Sequence, residues 1–191
     1  NILDRLSPNF VQLLTPGDAY IGGNTFFIQH QELVRTIPRN EIPTNENPLD
    51  EPPESLIYTL KLFFLGVAVG KYRKDSRNRS MMIHPSRLQF DQMYYHIWVQ
   101  SIKERFVLTL QQGNEDLDKQ ELIEEFREAY QDLIRTEDNL PQFEKLIGRI
   151  AQTDRLEHSI NSTKLELVNS SRGKTPTINW RDNYSFILVG G

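Results

Sequence analysis

The sequence contains no cysteine among its 191 residues. Disulfides, thiolate metal sites and cysteine nucleophiles are therefore excluded, and a cytoplasmic protein is the natural expectation. Long apolar runs are missing as well. The most apolar stretch, 56–69, is interrupted by Thr59 and Lys61. It falls short of the roughly 20 apolar residues that span a bilayer, so it reads as a buried core helix and no membrane is expected. Charge of one sign is scarce too: 22 basic residues stand against 26 acidic ones, for a net charge of −4. Bulk charge does not make this chain a polyanion binder, so any nucleic-acid contact must come from a local patch. The first residues lack the basic-then-apolar pattern of a signal peptide. His30, His84, His96 and His158 form no HxxxH or HExxH pair, so no metal site is expected. No GxSxG elbow and no GxxxxGK[ST] phosphate loop occurs.

What is present is a folding composition, 38% hydrophobic and 25% charged. Residues 1–52 read as a linker and loop region. They contain an extended piece at 10–14 and turn chemistry at Pro16, Gly17, Gly22 and Gly23 around Tyr20. The Pro- and Asn-rich stretch 38–53 reads as a mobile surface loop. Prolines 52 and 53 then open a helix that runs to about Tyr72, with Leu56, Leu60, Phe63, Phe64 and Val67 at helical spacing. A basic loop, a strand at 80–84 and a helix at 87–111 follow. Phe90, Tyr94, Ile97, Trp98, Ile102 and Phe106 supply that helix's apolar stripe. Asp116 or Asp118 can cap the next helix, whose stripe is Leu122, Phe126, Tyr130, Leu133 and Ile134. A third helix is expected at 141–153. Strands follow at 164–169, 177–180 and 185–189, the last a continuous apolar run suited to a doubly covered strand. The pattern predicts an α/β core from 53–112 and 162–191, with a helical insertion at 113–161.

Charge is segregated along the chain. Lys71, Arg73, Lys74, Arg77, Arg79 and Arg87 surround one acid, Asp75, whereas 113–161 holds six basic and thirteen acidic residues. A basic loop beside strand ends can hold phosphates. It can equally be a solvated loop whose cations favour a helix C-terminus. The carboxylates Glu121, Glu124, Glu125 and Glu128 read as a solvated helix face rather than as paired catalytic acids. His84 and Ser86 sit where a strand passes into a helix, and ligands of open α/β sheets bind at the carboxyl ends of strands. The alternative is that Ser86 only caps the helix and His84 only fills a turn. Gly190 and Gly191 repeat that placement at a second strand end and permit close backbone approach.

Three stretches resemble the Z1 domain family. They are residues 13–23, LLTPGDAYIGG, residues 79–87, RSMMIHPSR, and Ile178-Asn179-Trp180 followed by Phe186-Ile187-Leu188-Val189-Gly190-Gly191. They are similar to the family's P-G-x-x-Y-x-G-G segment, its S-M-L-I-H-x-S strand and the start of its V-G-G element. The family is associated with superfamily two helicase modules in bacterial proteins and is described as endonucleases or defence-system ATPases.

The resemblance implies a partial RecA-like sheet, that of a helicase second domain, flanked by helices and carrying the acidic helical insertion. It also implies that the chain is an internal piece of a longer protein, with a nucleotide-binding module before Asn1 and an S-R-G-L-T segment after Gly191. The parent would use ATP and magnesium, bind DNA, and act with restriction or phage-defence proteins. The 191 residues alone would hold no cofactor and hydrolyse no ATP. His84, Ser86, Gly190 and Gly191 would face the nucleotide or interdomain cleft, and the six basic residues would hold a nucleic-acid backbone. A non-enzymatic interaction module using the acidic helices, and a nuclease built on Lys164 and Glu166, stand as alternatives.

Overall fold

A buried helix organises the fold. Helix α1, Glu54–Tyr72, follows Pro53, and its nine buried residues include Leu56, Leu60, Phe64, Leu65 and Ala68. In the computed structural model, residue 17 and residues 22–148, 155–169 and 177–190 are described. At 19 residues α1 is long and apolar enough to cross a membrane. Length therefore does not decide its role, contrary to the sequence-based expectation. Half of its apolar window is buried inside the protein, which makes it a core helix.

Local hydrogen bonds define both ends of α1. At its start, Glu41 accepts the Ser55 N–H at 2.8 Å, replacing the side-chain cap that Pro53 does not provide. At its end, Asp75 N–H donates to Gly70 O and Lys74 N–H to Lys71 O. Lys74 adopts a left-handed φ of 56°. This is a Schellman termination with lysine where glycine is usual.

Strand β1, Arg79–Ile83, leads to helix α2, Gln89–Leu110. Helices α3 (Leu117–Ile134), α4 (Phe143–Leu146) and α5 (Arg155–Ser162) come next, then β2 (Lys164–Val168) and β3 (Ser185–Gly190). The sheet is wholly parallel with order β1-β3-β2. Every residue of β3 is buried, as its unbroken apolar sequence predicts. Burial of Phe186, Ile187, Leu188 and Val189 stabilises the fold by about 1.5–3 kcal/mol each.

Asp116 caps α3 by accepting the Lys119 N–H at 2.9 Å. Residues 177–180 form no strand. Asn78 instead donates to the carbonyls of Trp180 and Asn183, fixing this segment as a turn. The predicted 141–153 helix is only α4 among its described residues, while α5 was not foreseen as a separate helix. The apolar face of α2 also differs from expectation. Tyr95, Val99, Ile102, Phe106 and Leu110 are buried, whereas Phe90, Tyr94 and Ile97 are exposed. Both faces are apolar, so spacing alone could not select one.

The 113–161 helices do not extend away from the α/β core. Leu122, Phe126 and Tyr130 join one hydrophobic cluster with α1 and α2, and the Phe106 and Phe126 rings meet edge to face at 5.3 Å. Glu125 pairs with buried Lys61 at 2.6 Å, so at least one acid of the supposed solvated face has a structural partner. Residues Ile37–Gly191 form one compact unit and Asn1–Thr36 another. Within the latter, the described residues make short turns at Thr25–Gln29 and Gln31–Leu33.

Candidate functional site

The carboxyl end of the sheet brings together part of the expected site. β1 and β3 run parallel in register, with Ile83 opposite Val189. The next residues therefore meet: His84 Nδ1 lies 2.9 Å from Gly190 O. A carbonyl only accepts, so Nδ1 carries the hydrogen of this contact. Gly190 has φ 142°, and a Cβ there would lie 1.8 Å from the Val168 carbonyl oxygen. The close approach expected of this glycine is thus to β2, inside the sheet. Gly191 lies outside the described residues.

Ser86 is occupied with organising the start of α2. Its hydroxyl donates to Asp91 Oδ2 at 2.5 Å and accepts the Leu88 N–H at 2.9 Å. Gln92 donates its amide to the Ser86 carbonyl at 3.0 Å. Leu88 is the N-cap of α2 and no side chain caps it there, so Ser86 closes a turn just before the helix rather than capping it. These contacts also bury the Gln92 side-chain oxygen without a hydrogen-bond partner among the described residues.

The six basic residues are not one patch. Lys71 to Arg77 precede β1, Arg79 is its first residue and Arg87 lies beyond its end; the length of the strand sets the two groups about 15 Å apart. Asp75 draws in both Arg77 and Arg79, at 3.1 and 2.8 Å. Arg77's hydrogen bonds are the main reason that the Asp75 carboxyl falls to about 2. Arg73 pairs with Glu137 at 2.9 Å and donates to Asn139 O. Lys71 donates to Ser162 at 2.6 Å, and burial lowers its pKa. Lys74 and Arg87 are exposed, with no ion pair among the described residues. Two carboxylates, Asp75 and Glu137, thus hold three of the five cations between residues 71 and 79.

Pro16 and Tyr20 of the expected structural loop lie outside the described residues. Of its glycines, Gly22 accepts the Thr25 N–H at 3.0 Å, and Gly17 and Gly23 are exposed. Glu166 faces Lys164 at 4.0 Å and influences His96. Among the described residues no three Asp, Glu or His side chains gather into a metal-binding group.

Sequence reading missed a cavity of about 460 Å³ beside β1. Glu41, Tyr95 and His84 supply its titratable groups, and Ile37, Leu56 and Met81 are among its apolar walls. Glu41 was hidden in a stretch read as mobile. In fact the stretch is held by Asn47, which donates to the carbonyls of Asn40 and Ile42. Tyr95 was hidden because the neighbouring Tyr94 fitted the apolar stripe.

No curated protein and no solved structure significantly matches the chain. Residues 55–191 match the Z1 domain. This includes the Ser80–Ser86 and Phe186–Gly191 stretches but not the glycine-punctuated segment near the start. With that match over most of its length, the chain belongs to the Z1 domain family.

Proposed function

We propose that this chain supplies the second RecA-like wall of an ATP-binding cleft in a bacterial nucleic-acid-dependent ATPase of restriction or phage-defence type. The observation that carries the reading is the His84–Gly190 junction at the carboxyl end of a parallel sheet. Ligands of open α/β sheets bind beyond that edge, where strand ends and helix N-termini converge. The phosphate loop and magnesium-binding carboxylate would come from another module of the parent, because phosphoryl transfer needs both. DNA-backbone contact would fall to Lys74 and Arg87, the two exposed cations of the expected set that make no ion pair among the described residues.

The test is DNA-stimulated ATP hydrolysis by a full-length protein containing this chain, beside the 191-residue chain alone. The parent should respond to DNA and the isolated chain should be silent. Lys74→Glu and Arg87→Glu should each weaken DNA stimulation in the parent by about tenfold, whereas Arg77→Glu should have a smaller direct effect on DNA. Failure of the parent to hydrolyse ATP with any nucleic acid would overturn the reading.

A non-enzymatic interaction module is the second reading. The α3 stripe gives it little support, because that stripe joins the core. Its support moves to the exposed Phe90, Tyr94 and Ile97 on α2.

A further inference from the structure

The first strand lies at one side of the sheet. β1 pairs with β3 on its inner edge, and no strand pairs with its outer edge among the described residues. Met82 on this strand is 57% exposed. The cavity touches five consecutive residues, Met81, Met82, Ile83, His84 and Pro85. Side chains alternate between the faces of a strand, so contact with Met81, Met82 and Ile83 together places the cavity against the strand's edge, and His84 and Pro85 continue its wall beyond the strand end.

We propose that the outer edge of β1 accepts an extended polypeptide segment as a fourth strand, with a lysine or arginine side chain of that segment entering the cavity toward Glu41 and Tyr95. A free strand edge presents backbone donors and acceptors that another strand satisfies. The cavity selects the side chain. Its walls are mainly apolar, and no lysine or arginine lines it. Glu41 uses one carboxylate oxygen to accept the Ser55 N–H. Tyr95 is only 6% exposed and lines the cavity. Burial, Asp91 and Glu41 together push its hydroxyl up to about 12, so it remains neutral while two carboxylates act on its surroundings. A long basic side chain matches this combination: its methylene stem packs on apolar walls and its charged head reaches an acceptor. This inference is independent of the ATPase reading.

The probe is the fluorescently labelled heptapeptide Thr-Val-Thr-Lys-Thr-Val-Thr, blocked at its C-terminus, titrated against the 191-residue chain. Amide exchange is followed at Met81 to His84. Binding with slowed exchange there is expected. Glu41→Gln keeps a carbonyl to accept the Ser55 N–H but removes the charge. It should weaken lysine-peptide binding about tenfold, as a lost partly desolvated ion pair does. Replacing the peptide's lysine by norleucine should cost a similar factor, and combining both changes should add little further. A backbone N-methylated peptide should not bind.

Absence of binding at millimolar peptide with the chain folded overturns the proposal. So does binding indifferent to Glu41→Gln, or binding retained by the N-methylated peptide. Equal affinity for hexylamine without amide protection would replace strand addition by a simple amine cavity. Concentration-dependent dimerisation that the peptide cannot displace would assign the edge to a second copy.

Discussion

His84 joins the ends of two strands by donating from Nδ1 to the carbonyl of Gly190 at 2.9 Å. Gly190 in turn lies so close to Val168 that any Cβ would overlap its carbonyl. Three strand ends are therefore tied through one glycine.

Gly190→Ala should consequently cost about 3 kcal/mol or more. The unfavourable φ accounts for about 1–3 kcal/mol, and the overlap adds strand displacement. Urea unfolding with an unchanged m-value would report it. Stability within 0.5 kcal/mol of the parent, roughly the range of a neutral surface change, would contradict the tight junction.

Gly70→Ala tests a second close approach. A Cβ there would lie 2.0 Å from the Tyr184 hydroxyl. Alanine favours helix over glycine by about 1 kcal/mol, so a net loss would expose the clash. A loss of about 2 kcal/mol, or more, is expected from overpacking. Tyr184→Phe removes the offending oxygen and should recover part of that loss in the double variant. A double variant no more stable than Gly70→Ala alone would place the conflict elsewhere.

Lys74→Gly should stabilise the chain by about 1 kcal/mol, because glycine adopts the left-handed φ without the penalty carried by lysine. Thermal unfolding measures this. If Lys74 contacts nucleic acid, the same variant should lose DNA affinity while gaining stability, a combination that a merely damaged fold would not give.

His96 gives a pH signature. Burial lowers its pKa below 6.5, with Glu166 partly opposing the shift. The unfolded chain therefore binds the proton more readily between the folded pKa and 6.5. Stability should rise with pH through that window and be lower beneath it. His96→Gln should flatten this segment of the stability–pH curve. An unchanged slope would assign the effect to another group.

The regular elements were legible where one signal dominated. The continuous apolar run Phe186–Val189 announced a doubly covered strand, and Asp116 was one of the two acids expected to cap α3. The face of α2 was illegible because Phe90, Tyr94 and Ile97 are as apolar as the residues that are buried. The site was legible at His84 and Gly190, which lie at strand ends. It was illegible at Glu41 and Tyr95, which converge only after the 37–43 turns pack near α1 and β1. The pairing within the basic cluster was illegible for another reason. Counting charges could not reveal that one aspartate, Asp75, draws in two arginines.

The strand order has a consequence for how the molecule comes into being. β3 comes after both of its neighbours in sequence but lies between them in space. Until residues 185–190 arrive, β1 and β2 have no central strand to join them. A nascent chain at that stage presents two separated strand edges and an unfinished apolar core. The sheet thus closes late through contacts distant in sequence, a topology that slows folding and lengthens exposure to mispairing.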